Sequence, residues 1–96
     1  MSEQTGANIK SILSERSSRY GEFFSHAGIT QNLKITMHHT DNWHRLSYDQ
    51  QEALEMIAHK IGRILNGDPN YDDSWIDIAG YAKLVADRLT AAAKHG

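Results

Sequence analysis

The chain has no cysteine, a single proline, few aromatic residues and no long apolar run, and each shortage removes a class of protein from consideration. Without cysteine, neither a disulfide nor a thiolate metal site can brace the fold, which fits a reducing compartment. Without an apolar stretch of ~20 residues, no segment is expected to cross a bilayer as a helix. The opening Met1-Ser2-Glu3-Gln4-Thr5-Gly6 has no basic segment followed by an apolar one, so no secretory leader is read there. Charge of one sign is also missing. A net charge of −2, with 23% charged residues, offers little to a nucleic-acid polymer or an anionic membrane. The expectation is a cytoplasmic protein, in the host cytoplasm if phage-encoded, with neither nucleic-acid polymer nor membrane as a partner.

What remains is the material of a helical bundle. The 96 residues suffice for one domain, 1–96, with residues 1–7 read as a flexible lead. A domain this small has a thin core, and with no disulfide available, self-association is the simplest source of further burial. Ile9, Ile12 and Leu13 mark a helix from about Asn8 to Arg19, closed by Gly21. Phe23, Phe24, Ala27, Leu33, Ile35 and Met37 mark a second from Glu22 to about His39, with an interruption expected near Gly28-Ile29-Thr30. Ser47-Tyr48-Asp49-Gln50 reads as a capping box. The apolar stripe that follows runs through Ala53, Leu54, Ile57, Ala58, Ile61, Ile64 and Leu65 to a stop at Asn66-Gly67-Asp68-Pro69. Asp72 or Asp73 caps a fourth helix, whose stripe is Trp75, Ile78, Ala79, Ala82, Val85, Ala86 and Leu89. The short connection makes the last two helices antiparallel. The predicted fold is all-α: an antiparallel helical hairpin plus two N-terminal helices, four-helix-bundle-like and oligomeric.

Candidate chemistry lies on the polar flanks of that hairpin. Glu52 and Glu55 stand one turn apart on the third helix, and Asp73 and Asp77 are similarly related on the fourth. Carboxylates converging from two helices suit magnesium, which takes oxygen ligands and binds polyphosphate through its open positions. The plainer reading is solvated faces with intrahelical pairs such as Glu55 with His59. Lys60 and Arg63 can grip phosphate oxygens, with Asp77 and Tyr81 within reach, or they can simply complement the helix dipole. His38, His39 and His44 do not have the spacing of helical zinc sites and read as polar loop or contact residues. Trp75, on the stripe, is expected in the core. Trp43, in a polar loop, is the candidate exposed aromatic for stacking on a base. Nucleophile elbows and phosphate loops are absent from the sequence.

The stretch from Glu55 to Tyr81 joins a Lys60-Ile61-Gly62-Arg63 helix end to Asp73-Ser74-Trp75-Ile76-Asp77-Ile78-Ala79-Gly80-Tyr81. Together with Tyr20-Gly21-Glu22-Phe23, it resembles a family of small phage proteins of unassigned function. At one remove, the hairpin is similar to the all-α nucleoside triphosphate pyrophosphohydrolases of the MazG type. That resemblance implies a dimeric or tetrameric bundle holding magnesium on E-x-x-E and E-x-x-D motifs. Glu52 and Glu55 match the first pair and Asp77 the last acid, but Ser74 stands where a glutamate belongs.

The incomplete acidic set favours a nucleotide-binding homo-oligomer, a sponge for a host nucleotide immune signal, with Lys60, Arg63, Asp77, Tyr81 and Trp43 as ligand contacts and no cofactor. The alternatives are a magnesium-dependent pyrophosphohydrolase using Glu52, Glu55 and Asp77, and an oligomeric protein-interaction module.

Overall fold

The computed structural model describes residues 2–95, with side chains described for 8–16 and 19–94. Four helices follow one another: α1 (Ser2–Tyr20), α2 (Phe23–His38), α3 (Tyr48–Asn66) and α4 (Asp72–His95), with a 3-10 turn at Asp41–Arg45 between α2 and α3. The all-α expectation is met. Helix α1 starts ahead of Asn8, and the expected flexible lead over 1–7 falls on residues whose side chains lie outside the described ones. Helix α2 runs unbroken through Gly28, correcting the expected interruption.

Local chemistry sets the boundaries of α3. The Ser47–Gln50 capping box is present, and the Gln50 side chain accepts the Ser47 N–H at 2.9 Å. At the other end, Asn66 Nδ2 donates to the carbonyls of Tyr20 at 3.0 Å and Glu22 at 2.9 Å, and Asp68 N–H donates to Arg19 O at 2.8 Å. These bonds clamp the α1–α2 turn onto the end of α3. Gly21 makes the turn with φ +78°, and a Cβ there would lie 2.1 Å from Asn66 O. Both the conformation and the close approach require glycine.

Helices α3 and α4 pair antiparallel in one register, fixed by two cross-helix ion pairs about three turns apart. Asp49 bonds Arg88 near one end, and Lys60 meets Asp77 at 3.0 Å toward the other. Helix α2 crosses α3 where Gly62 meets Thr30, which is 1% exposed, and His26, which is 8% exposed. A Cβ at Gly62 would lie 2.6 Å from Thr30 Oγ1, so the missing side chain sets the distance between the two helices.

The core is thinner than the stripes imply. Trp43, Ala53 and Ala58 are its buried apolar residues, whereas Leu54, Leu65, Trp75 and Leu89 on the stripes are exposed. The radius of gyration is 17.0 Å, against about 12.5 Å for a compact domain of this length. Accessible surface is 7233 Å², against about 5,500 Å² expected for a compact monomer of this mass. No helix among the described residues is long and apolar enough to cross a membrane.

Candidate functional site

The sequence-derived site residues do not gather into one place. Lys60 is buried, and its ammonium is held by Asp77, so neither is free to grip a ligand without breaking the other's pair. Glu55 pairs with His38 Nε2 at 2.9 Å, not with His59, and Glu52 is exposed. Among the described residues, no three His, Asp or Glu side chains are grouped to hold a metal ion. Within one chain the Glu52, Glu55, Asp77 set therefore does not converge, because the antiparallel register places Asp77 beside Lys60 and the two glutamates nearer the other end of α3. Tyr81 is half-buried on α4.

The two tryptophans exchange their expected roles. Trp43 is 8% exposed and packs on His38 with ring centroids 4.6 Å apart, and its carbonyl accepts from Gln51 Nε2 at 3.0 Å. The 3-10 turn tucks the indole under the start of α3, so Trp43 is not an exposed stacking surface. Trp75 is 55% exposed, with its indole N–H donated to Pro69 O at 2.9 Å. It faces out while its neighbour Ser74 in the same turn, 4% exposed, faces inward, correcting its core assignment.

Arg63 is the sequence-derived candidate that does reach a cavity. A cleft of 480 Å³ opens between α1, α2 and α3, with Arg16, Tyr20, Glu22, His26, His59 and Arg63 in its wall and Phe23 at its edge. Pockets of about 300–1,000 Å³ hold small ligands. The Arg63 guanidinium lies over the Tyr20 ring, 4.5 Å from its centre, a cation–π contact that uses the ring face and leaves N–H groups for an acceptor. Arg16 has no ion-pair partner among the described residues.

Helix α2 begins in the same cleft. Its first intrahelical bond is His26 N–H to Glu22 O at 3.0 Å, and the Glu22 side chain makes no cap, so the amides of Phe23, Phe24 and Ser25 have no capping acceptor among the described residues. Free amides and the positive end of the helix dipole favour an anion. Behind them, buried His26 shares a 3.3 Å contact with Thr30 Oγ1 through Nε2, while Nδ1 lies against Gly62 and makes no well-formed hydrogen bond among the described residues. His59 stacks on His26 with ring centroids 5.9 Å apart. Burial lowers the pKa of both imidazoles. For His59 the neighbouring cations Lys34, Arg63 and Lys60 add to the effect, as does His26 itself.

Sequence reasoning missed Arg16, Glu22 and His26, and read His59 only as an intrahelical partner of Glu55, because the cleft draws its residues from three helices. One signal was available: Gly62 inside an otherwise good helix is unfavourable by ~1 kcal/mol relative to alanine and so marks a close approach. Here that approach buries His26.

The profile of a domain of unknown function, DUF6378, matches residues 6–89, and the chain belongs to that family. No curated protein and no solved structure matches the chain.

Proposed function

We propose that this member of the DUF6378 family binds a nucleotide-type ligand without turning it over, and does so as a homo-oligomer. The observation that carries the reading is the cleft. It presents Arg16, which pairs with no described residue, ring-held Arg63 and the uncapped amides of α2 for a phosphate, with the exposed Phe23 ring beside them for a flat base. Binding is favoured over hydrolysis because Asp77 is held by Lys60 and Glu55 by His38, which leaves no converged carboxylate set among the described residues. With the phage resemblance of the sequence, the biological form of this reading is a sponge that sequesters a host nucleotide signal.

A thermal-shift screen tests it, using nucleoside triphosphates and cyclic di- and trinucleotides with and without magnesium. A ligand at a hundred times its dissociation constant adds about 2.7 kcal/mol, visible as a raised melting temperature. The expected result is stabilisation that needs no magnesium and is lost in Arg16→Ala and Arg63→Ala. Magnesium-dependent pyrophosphate release would overturn binding without turnover, and a flat screen would overturn nucleotide binding altogether.

Self-association is supported by the surface. The surplus over a compact monomer exceeds the ~800 Å² per partner that a standard interface buries. A groove of 330 Å³ lined by Leu54, Ile57, Val85 and Leu89 runs open between α3 and α4, and a second copy would cover it. Light scattering should return a mass of at least two chains. A monomer at high micromolar concentration would count against this part of the reading.

A further inference from the structure

The cleft contains one group that a simple anion site would not have. Glu22 lines it, and its carboxylate makes no hydrogen bond or ion pair among the described residues. Its backbone is fixed from two sides, since the carbonyl accepts both His26 N–H at 3.0 Å and Asn66 Nδ2 at 2.9 Å. The side chain has no comparable task. A serine, threonine, aspartate or asparagine at this position would cap α2, whereas Glu22 makes no such bond.

A carboxylate in the wall of a cleft that also holds two guanidiniums and a helix N-terminus repels a bare phosphate or sulfate. It becomes favourable when the ligand carries hydroxyl donors next to its anionic group, because a carboxylate accepts through both oxygens. Directly after it in the chain stands Phe23, 80% exposed, with its ring 6.3 Å from His26. Donors for an anion, an acceptor for hydroxyls and an apolar plane therefore meet around one cavity.

We propose that the cleft takes a ribonucleoside phosphate, with the phosphate at the α2 amides between Arg16 and Arg63, and with Glu22 selecting ribose over deoxyribose by accepting from the sugar hydroxyls. The assignment rests on the nucleotide-binding reading and adds the sugar specificity to it. A site that hydrogen-bonds a substrate hydroxyl discriminates strongly against the analogue lacking it, since its own polar group is left unpaired.

The test is calorimetric titration of the full chain, and of Glu22→Ala, with the common ribonucleoside 5′-mono- and triphosphates, their 2′-deoxy counterparts and inorganic phosphate. The expected result on the native chain is ribonucleotide binding at least tenfold tighter than deoxyribonucleotide, with inorganic phosphate weakest. Glu22→Ala should remove the sugar preference and tighten inorganic phosphate, with an unchanged melting temperature showing that the variant is folded. Equal affinity for the two sugars, or a preference that survives Glu22→Ala, overturns the Glu22 assignment and leaves nucleotide binding standing. Failure of every nucleotide to bind overturns both.

Discussion

Lys60 Nζ lies 3.0 Å from Asp77 Oδ2, with the lysine side chain 10% exposed and its partner 46% exposed. The asymmetry predicts unequal effects of mutating each side. Removing the carboxylate leaves an ammonium shut away from water, whereas removing the lysine leaves an aspartate that solvent can reach. Asp77→Asn is expected to destabilise by ~2 kcal/mol and Lys60→Met by less, because methionine fills the volume without a charge. Urea unfolding of both variants measures the difference, and an Asp77→Asn effect no larger than that of Lys60→Met would contradict it.

The same pair shows which parts of the molecule could be read from the chain. Antiparallel pairing of α3 with α4 followed from the Ser47–Gln50 box, the Asn66–Pro69 stop and the short connection. That register was enough to bring Lys60 to Asp77. The stripes also identified the apolar face of the hairpin, but periodicity says only that a face is apolar, not what covers it. In this chain much of it stays open. Trp75 was misassigned for that reason, whereas Trp43 was misassigned because an aromatic in a polar loop is buried by the path of the chain, which a local pattern does not contain. The cleft was illegible for the same reason: Arg16, Glu22 and His59 become neighbours only once Asn66 has clamped the α1–α2 turn to the end of α3.

At the helix crossing, Gly62→Ala is expected to destabilise by ~1–3 kcal/mol, the usual cost of overpacking. The new methyl would meet Thr30 Oγ1 at 2.6 Å and the His26 ring at 2.9 Å. Glycine-to-alanine inside a helix would otherwise stabilise by ~1 kcal/mol, so the sign of the change is diagnostic. Combining it with Thr30→Ala should recover part of the loss, measured as a double-mutant cycle. A stabilising Gly62→Ala would show that the crossing is looser than this contact requires.

The second cross-helix pair predicts acid behaviour. Hydrogen bonding from Arg88, helped by Ser47, lowers the Asp49 pKa to about 2 from an ordinary 3.8. A carboxylate whose folded pKa is depressed contributes stability above the unfolded value and loses it as pH falls through the folded one. The Asp49 contribution should therefore be complete above pH 3.8 and disappear toward pH 2. Arg88→Met should return the Asp49 titration, followed by carboxyl NMR, toward its ordinary value. An unchanged titration would separate the carboxylate from Arg88.

The stacked pair of His26 and His59 predicts a response nearer neutrality, and of opposite direction in the free and occupied protein. Both pKa values lie below the ordinary 6.5, chiefly through burial, so the folded chain prefers the imidazoles neutral. Below pH 6.5 the unfolded chain takes up protons that the folded chain resists, so the melting temperature of the free protein should fall as pH is lowered and level off below the folded values. His59→Gln should flatten part of that slope. A phosphate dianion in the cleft changes the balance, because an adjacent negative charge favours imidazolium. Binding should then take up protons and tighten as pH falls toward the lowered pKa values of the free imidazoles, seen as a buffer-dependent heat in calorimetry. Proton release on binding, or affinity independent of pH, would place the phosphate away from His59 and at odds with a cleft-bound nucleotide.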